Sequence, residues 1–362
     1  ATATRVLTDL FQNIWENETI PEDWSKGLIV KLPKKGDSGN CNNWRGITLL
    51  SIPSKVFCKV LLNHLKDTID PLLRKEQAGF RKGRGCVDQI FALRNIIEQC
   101  LEWNAPLHIN FVDYQKAFDS IHRDSLWKIL RTYGVPSKIV QLIRKFYDHF
   151  ECSIILEQTL TEWFEVKSGV RQGCILSPIL FLVVIDWVMR QTTSDAPRGI
   201  QWTLTSFLED LDFADDLALL ATRYADMQEK TNRLNTYSKP TGLSFNVPKT
   251  KHMSINTTPP SPITIDGEPV GEVDDFVYLG SMVSKDSGTQ KDIRCRINKA
   301  RTAFWKLNNI WKSSIYSTTT KVRLYNSNVK SVLLYGSECW RTTVEDMGKL
   351  ASFHNGCLRK IC

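Results

Sequence analysis

The chain has 362 residues, of which 42% are hydrophobic and 24% charged, and its formal net charge is +8. This composition can fill a packed core, and the length predicts two or three linked subdomains. The longest apolar run, 175–189, contains Ser177, Pro178 and Asp186 and is too short for a bilayer. The sequence therefore excludes a membrane-spanning helix at its most apolar segment, and we expect no membrane partner.

The positive charge is concentrated near the C-terminus. Residues 290–362 contain 14 Lys and Arg but 4 Asp and Glu, whereas the rest of the chain has 33 basic and 35 acidic residues. A basic C-terminal segment joined to a mildly acidic body is typical of a protein that binds a polyanion. The alternative is a basic surface that only keeps the protein soluble.

The ten cysteines are scattered, and none has the C-x-x-C spacing of a zinc site. Reduced thiols in an intracellular protein are the expected state, and no signal peptide is visible. The chain starts at Ala1, and its last helical pattern runs to Cys362 without a stop signal. We expect it to be a fragment of a longer protein.

In chain order, residues 1–105 are predicted to be helices around a basic turn. The segment IVKLPKKGDSGNCNNWRGITLL has two apolar flanks around a Gly- and Asn-rich centre, which predicts a β-hairpin. The spacing of SKVFCKVLLNHLKDTI predicts a helix directly after it.

The middle of the chain alternates strands and helices. PLHINFVDYQKAF predicts a buried strand that leads into a helix. WFEVKSGVRQGCILSPILFLVVIDWVM predicts a strand, a glycine turn and a buried helix starting at Pro178. An aspartate-bearing hairpin, a helix over about 227–238 and a short β region containing DDFVYLGSMVS complete this part.

The last segment is predicted to be helical, with one apolar face and a basic remainder. The apolar face consists of Ile293, Ile297, Ala300, Phe304, Leu307 and Trp311. The residues predicted to lie off it are Arg294, Arg296, Lys299, Arg301 and Lys306. The pattern favours a phosphate-binding groove and an ordinary amphipathic surface helix about equally.

Three carboxylates stand out because they interrupt apolar segments. Asp113 ends the strand HINFV, and Asp215 and Asp216 lie in FLEDLDFADDLALLA, at the tip of a predicted hairpin. An unpaired buried carboxylate is costly, so ionised ones need a nearby cation. If the two strands are neighbours in one sheet, their carboxylates converge as oxygen ligands for Mg²⁺. A single Asp would more simply be a helix cap or a turn residue.

Several motifs, in order and spacing, resemble the palm motifs of reverse transcriptases. The central ones are FVDYQKAFDSI, GVRQGCILSPILF and FADD; WRGITLL and EQAGFRKGRGCVDQI precede them, and GLSFNVPKTK and YLGS follow. The resemblance covers nearly the whole chain and is closest to the non-LTR retrotransposon group, in its RTE-like or LINE-like branch. Phe213 departs from the pattern, since many reverse transcriptases have Tyr there.

The resemblance implies a set of catalytic residues. Asp113 and Asp215 are expected to bind two Mg²⁺ ions, with Mn²⁺ as an alternative, and Asp216 to be an outer or partial ligand. The carbonyl of Tyr114 is a further expected metal contact. Lys249 is expected to protonate the pyrophosphate leaving group, with Lys251 as a competing choice.

The resemblance also implies nucleotide contacts. Phe118 is expected to lie under the sugar and exclude a ribose 2′-hydroxyl, or simply to pack in the core. Gln172 and Gly173 are expected at the incoming nucleotide and templating base. Fingers contacts to the triphosphate are expected from Lys34, Lys35 and Arg45, and a nucleotide or template contact from Arg81, with Lys82 and Arg84 as further candidates. Without the resemblance, PKKGD would be a solvated turn.

For the nucleic acid, the expected contacts lie in three segments. Arg171 is expected to touch template phosphate, and the YLGS segment, Tyr278, Leu279, Gly280 and Ser281, to hold the primer 3′ end. The basic helix would contribute Arg294, Lys299 and Arg301. The acidic residues Glu209, Asp210 and Asp212 also crowd the hairpin, and the pattern leaves open which of them face the metals.

The fold class implied is α+β: a right-hand polymerase with fingers over 1–105, a palm over 106–289 with an antiparallel sheet, and a helical thumb over 290–362. The function implied is that of an RNA-directed DNA polymerase, with an RNA template, a DNA primer and dNTPs as partners. The alternatives are an inactive, domesticated copy that only binds RNA, and an unrelated metal-dependent phosphohydrolase. An upstream endonuclease domain in the full-length protein and action in the nucleus are expected by analogy with target-primed retroelements.

Overall fold

A computed structural model of the chain describes residues 2–34, 36–157 and 159–361. Its α-helices are α1 Thr2–Asn17, α2 Ile52–Ile69, α3 Cys86–Glu102, α4 Ala117–Ser120, α5 Arg123–Thr132, α6 Ser137–Lys145, α7 Ser177–Thr193, α8 Tyr224–Ser238, α9 Gln290–Lys306, α10 Asn308–Lys312, α11 Thr318–Tyr325, α12 Ser331–Leu333 and α13 Val344–Ile361. Its β-strands are β1 Lys26–Pro33, β2 Trp44–Leu49, β3 Leu107–Val112, β4 Glu151–Leu156, β5 Thr159–Leu160, β6 Phe164–Glu165, β7 Ile200–Gln201, β8 Phe207–Leu208, β9 Asp210–Phe213, β10 Asp216–Ala221, β11 Lys251–Ile255, β12 Thr264–Ile265, β13 Glu268–Pro269, β14 Gly271–Glu272, β15 Asp275–Tyr278 and β16 Ser281–Ser284.

The chain divides into two units. Unit 1 comprises Ala1–Lys82, Asp113–Pro197 and Glu229–Asn246, and unit 2 comprises Gly83–Val112, Arg198–Gln228 and Val247–Cys362. The division into fingers, palm and thumb stays a prediction.

Unit 1 contains a five-stranded sheet in which β1 pairs with β2 antiparallel and with β4 parallel. The predicted hairpin is confirmed, since Lys31 pairs with Gly46 and Pro33 with Trp44. The following helix, α2, begins after Ser51, whose hydroxyl accepts a hydrogen bond from the Ser54 amide at 3.4 Å. Helix α7 is buried along most of its length, as expected for a helix that is apolar on all sides.

Unit 2 contains a second five-stranded sheet, in the order β14-β11-β3-β10-β9. All six residues of the central strand β3 are buried, which explains why its sequence is apolar without alternation. Helix α3 packs on one face of this sheet through Ile90, Leu93 and Ile97. The helices from α9 to α13 surround a separate apolar cluster that includes Phe304, Trp311, Tyr325 and Leu350.

Ile293, Ala300 and Phe304 of α9 are buried, which confirms that part of the predicted apolar face. The helix ends at Lys306, so Trp311, which is also buried, belongs to the separate short helix α10. Arg296, predicted off this face, is nevertheless only 6% exposed, because its guanidinium makes internal polar contacts.

The described cysteines are all free. Among the described residues, we find no helix with both the length and the apolar content that a membrane crossing requires.

Candidate active site

The aspartate hairpin of unit 2 has a two-residue loop. Phe213 at the end of β9 pairs with Asp216 at the start of β10, so Ala214 and Asp215 form the turn. Ala214 has a φ of +58°, a left-handed conformation that costs a non-glycine residue of order 1–2 kcal/mol. Asp215 is partly buried and Asp216 is exposed. The hairpin thus presents two adjacent carboxylates at its tip.

Strand β10 also pairs with β3, antiparallel, and this register fixes which residues end the two strands. Leu217 pairs with Val112, and Ala218 pairs with Phe111. Asp216 precedes Leu217 in the chain, and Asp113 follows Val112. In unit 1, the partly buried Asp113 accepts a hydrogen bond through its backbone carbonyl from the Asn246 amide at 2.8 Å.

The three carboxylates supply only oxygen donors, which are the ligands that Mg²⁺ and Mn²⁺ prefer. No cluster of three or more His, Cys, Asp and Glu side chains with a geometry ready for a metal occurs in the part of the chain that is described. By the chemistry of the donor set, these residues fit a hard divalent cation.

Comparison with protein families identifies the chain. The family described as reverse transcriptase (RNA-dependent DNA polymerase) matches residues 32–283, well over half of the sequence. The chain belongs to the reverse transcriptase family. A domain of unknown function also matches residues 303–335. Membership of the reverse transcriptase family implies dependence on a divalent cation.

Curated relatives of this reverse transcriptase chain come from non-LTR retrotransposons. It is 26% identical over 287 residues to the Pol polyprotein from the type-1 retrotransposable element R2 of Nasonia vitripennis, covering 76% of this chain and 27% of that protein. It is 24% identical over 379 residues to the probable RNA-directed DNA polymerase from transposon BS of Drosophila melanogaster, covering 98% and 40%. The chain spans between 14% and 40% of the length of such relatives.

Solved structures with a similar fold are telomerases. Telomerase from Candida tropicalis in complex with the TWJ fragment of telomeric RNA gives a TM-score of 0.53 at 14% identity, covering 93% of this chain and 57% of that one. Apo telomerase from the same organism gives 0.51 at 14% identity, covering 99% and 66%. The predicted α+β, right-hand polymerase fold of this reverse transcriptase is confirmed.

In unit 1, the expected sugar-contacting residue belongs to a column of aromatic rings. Phe118 stacks on Phe181 with ring centroids 4.4 Å apart and 12° between the planes. The Phe80 ring packs edge-on against the Phe118 ring, with centroids 6.1 Å apart, although Phe80 itself is 52% exposed. Phe118 is therefore held in place by packing, and a role under the sugar is compatible with it. That role remains a prediction.

Gln172 and Gly173 lie beside the β1–β2 hairpin of unit 1. The Gln172 side-chain amide donates to Asp119 Oδ1 at 2.7 Å, and the backbone carbonyl of Gln172 accepts from the Thr48 backbone amide at 2.7 Å. Gly173 has a φ of +111°, and a Cβ there would lie 2.5 Å from the Thr48 carbonyl oxygen. The backbone at position 173 therefore packs so closely against strand β2 that only glycine fits there without a clash. Asp119 was not singled out from the sequence, although it stands in the quoted motif FVDYQKAFDSI.

Two arginines expected at the nucleic acid make internal contacts in unit 1. Arg171 is 4% exposed; its guanidinium lies 3.7 Å from the centre of the Phe150 ring and donates to the Trp24 carbonyl at 3.0 Å. Arg81 donates through Nε to Asp70 Oδ1 at 2.9 Å and through Nη1 to the Arg74 carbonyl at 2.7 Å. A nucleic-acid contact would require either side chain to leave these partners, and both contacts remain untested.

The other basic residues of the predicted fingers are exposed. Lys34 donates to the Asn42 carbonyl at 3.2 Å, and the Arg45 side chain on β2 is exposed. Lys35 lies outside the described residues. Lys249, the expected proton donor, is exposed at the end of the loop that precedes β11. Arg294, Lys299 and Arg301 of α9 are exposed, as predicted.

Both tyrosines in the expected site are buried through their rings. In unit 1, the Tyr114 hydroxyl is 2.8 Å from the Ser238 hydroxyl, and the ring packs edge-on against Phe245. In unit 2, the Tyr278 hydroxyl donates to the Leu211 carbonyl at 2.9 Å, and burial raises the pKa of Tyr278 well above its ordinary value. Tyr278 thus ties the YLGS turn to the strand β9 that leads into the aspartate hairpin.

Sequence reasoning missed two buried carboxylates that organise these elements. In unit 1, Asp186 on α7 accepts from the Arg74 amide at 2.7 Å and from Arg190 Nε at 2.7 Å. In unit 2, Asp292 on α9 is paired with Arg94 at 2.9 Å. An Asp within the apolar run of α7 was the available signal for the first, whereas the second lies on a helix with a polar sequence.

Proposed function

We propose that this chain is an RNA-directed DNA polymerase that copies retroelement RNA into DNA. The primer 3′-hydroxyl attacks the α-phosphate of a dNTP paired with the RNA template, and pyrophosphate leaves. The observation that best supports this proposal is the antiparallel pairing of Val112 with Leu217. Asp113 directly follows Val112, and Asp216 directly precedes Leu217. The names of the relatives, which include RNA-directed DNA polymerases of transposons, agree with it.

Asp113 and Asp215 would hold two Mg²⁺ ions, with Asp216 as an outer ligand and the Tyr114 carbonyl as a further contact; Mn²⁺ is an alternative. Bound divalent cations supply charge neutralisation at the phosphates and lower the pKa of the attacking hydroxyl. The carboxylates of the hairpin tip are accessible, since Asp216 is exposed and Asp215 is only partly buried.

The remaining roles belong to side chains of the chain itself. Lys249 would donate a proton to the pyrophosphate oxygen as it leaves, which requires an accessible ammonium group. The packed ring of Phe118 would exclude a ribose 2′-hydroxyl and so select dNTPs. Lys34, Lys35 and Arg45 would bind the triphosphate, and Gln172 and Gly173 would contact the nucleotide.

The template and primer would bind largely through their phosphates. The exposed Arg294, Lys299 and Arg301 lie on one helix of the basic C-terminal segment, which supports a salt-sensitive contact to a nucleic-acid backbone. An endonuclease domain elsewhere in the full-length protein and action in the nucleus belong to the same proposal, by analogy with relatives such as the R2 polyproteins.

Primer extension on poly(rA)/oligo(dT) with Mg²⁺ tests this function. We expect dTTP incorporation that is abolished by EDTA and reduced at least 100-fold in Asp215→Asn. Asp67→Asn, an exposed carboxylate on α2, is the matched control and should retain activity. RNA binding without extension by the wild type would contradict the proposal in favour of an inactive RNA-binding protein, and phosphoester hydrolysis alone would favour a phosphohydrolase.

A further inference from the structure

The YLGS turn of unit 2 is held in a strained conformation. Tyr278 pairs with Ser281, so Leu279 and Gly280 form a two-residue loop between β15 and β16. Both have positive φ, +47° for Leu279 and +82° for Gly280, which is the pattern of a type I′ turn. Glycine adopts this conformation freely, but leucine does so only under strain, so contacts around the turn must enforce it.

Two side chains from the C-terminal helical segment contact the turn at its two peptide carbonyls. The Tyr335 hydroxyl donates to the Leu279 carbonyl at 2.8 Å, and Arg296 Nη2 donates to the Gly280 carbonyl. The two side chains also stack, since the Arg296 guanidinium lies 4.3 Å from the centre of the Tyr335 ring. We name this pair, Tyr335 and Arg296, the turn clamp.

Arg296 of the turn clamp lies beside a buried carboxylate, with its Nε 3.8 Å from Asp292 Oδ1. Asp292, which is 1% exposed, accepts hydrogen bonds from Arg94 Nη2 at 2.9 Å, the Ser281 hydroxyl at 2.5 Å and the Met282 amide at 2.9 Å. The Trp340 indole adds a fourth donor at 2.8 Å. Because a buried charge with several donors permits few alternative arrangements, the base of the hairpin is fixed relative to α9.

These contacts are made at the tip of the hairpin, and the hairpin does not need them to pair its strands. The strands β15 and β16 already form their own ladder, and carbonyls at a hairpin tip are normally hydrated. Side chains 16 and 56 residues further along the chain instead fix both tip carbonyls. Burial raises the pKa of Tyr335, so its hydroxyl stays protonated and remains a donor at neutral pH.

We infer that Tyr335 and Arg296 are positioning residues for the primer: they fix the backbone of the YLGS turn so that it supports the primer 3′ end. The inference rests on the proposed polymerase function and on the expected role of that turn. It assigns a task to Tyr335, which no sequence motif singled out, and to Arg296, which the sequence marked only as one of the basic residues of the last helix. It also connects the C-terminal helices to the step at which the primer terminus is aligned.

Tyr335→Phe tests the inference with the full chain, because it removes one hydroxyl and leaves the ring against Arg296. Tyr325→Phe is the matched control: its hydroxyl is 2.7 Å from His354 Nδ1 within the same helical segment but away from the turn. Fluorescence anisotropy with an RNA–DNA duplex that has a recessed primer 3′ end gives Kd whether or not the protein catalyses extension. Single-turnover extension then gives the rate for that primer and the apparent dTTP affinity.

We expect Tyr335→Phe to bind the recessed duplex about 2- to 12-fold more weakly, the equivalent of one hydrogen bond of about 0.5–1.5 kcal/mol. The apparent dTTP affinity and the melting temperature should match those of Tyr325→Phe. Equal duplex affinity in the two variants, whether unchanged in both or reduced in both, would overturn the inference. Failure of the proposed function is a separate result, namely no extension by the wild type, and leaves the affinity comparison decisive.

Discussion

Val112 and Leu217 are paired across antiparallel strands in the sheet of unit 2. Because side chains alternate along a strand, a slip of one residue in this pairing would turn every buried side chain of β10 towards the opposite face. All five residues from Leu217 to Ala221 are buried, so both faces of the strand are packed and such a slip would require both to be repacked. The strand register beside Asp113 and Asp216 is thus set by the apolar residues next to them in the two strands.

The turn of the aspartate hairpin carries strain that a glycine would relieve. Ala214→Gly should raise the free energy of unfolding by about 1 kcal/mol, because Ala214 has a φ of +58°. Ala218→Gly is the matched control, since Ala218 lies within β10 and is fully buried; it should lower stability. Urea unfolding of the wild type and both variants checks the prediction, which is wrong if Ala214→Gly is no more stable than the wild type.

Gly173→Ala should destabilise unit 1 by roughly 2–4 kcal/mol. The new methyl group would lie 2.5 Å from the Thr48 carbonyl oxygen, and the φ of +111° is unfavourable for alanine. Gly83→Ala separates the two effects, because Gly83 has a φ of +74° but nothing within 4 Å of the added carbon. A similar loss of melting temperature in both variants would show that the close approach to Thr48 contributes nothing.

Phe118→Ala should relax the choice between deoxyribonucleotides and ribonucleotides. The ring is stacked on Phe181, which favours its present position, so its removal should open space where a 2′-hydroxyl would lie. We expect the ratio of incorporation efficiencies for dTTP and UTP to fall at least tenfold, measured by single-nucleotide extension. Phe164→Ala, an exposed ring on β6, should leave the ratio unchanged. An unchanged ratio in Phe118→Ala would leave Phe118 with a packing role alone.

A buried histidine pair in unit 2 should make stability depend on pH. His108 Nδ1 and His252 Nε2 are 3.1 Å apart, and burial lowers the pKa of His108 and lowers that of His252 to about 4. Since the unfolded chain takes up these protons near pH 6.5, stability should fall as the pH drops from 7 towards 4. For His252 alone, the loss at pH 5 is about 2 kcal/mol.

The test compares urea unfolding at pH 7 and pH 5 in the wild type, His252→Gln and His64→Gln. His64 is exposed, so its replacement should leave the pH dependence as in the wild type. His252→Gln should show a smaller loss between the two pH values. An equal loss in all three proteins would assign the acid sensitivity to other groups.

Sequence patterns predicted local structure where one interaction dominates. The hairpin of β1 and β2, the buried strand β3 and the helices α2 and α7 follow from apolar spacing and from Gly, Asn and Pro at their ends. The family motifs likewise identified the reverse transcriptase fold. The burial of Arg171 among aromatic rings and the internal partners of Arg81 were not predictable, because they depend on residues distant in sequence.

The same limit explains why the burial of Arg296 on α9 was not predicted. Helical spacing places Arg296 off the apolar face, but the adjacent Asp292, Gly280 and Tyr335 create a polar, buried environment that accepts a guanidinium. Helical periodicity shows which residues lie on the apolar face of a helix. It does not show whether charged residues elsewhere on the helix are buried by polar partners that are distant in sequence.

The central claim is that Asp113 and the Asp215–Asp216 pair hold the same divalent cations. Iron-directed cleavage tests it most directly: Fe²⁺ replaces Mg²⁺, and peroxide with ascorbate then cuts the polypeptide beside the bound metal. We predict cuts near residue 113 and near residue 215 in the same protein, both suppressed by excess Mg²⁺ and both lost in Asp215→Asn. Cuts near only one of the two positions, or cuts that persist in Asp215→Asn, would contradict the account.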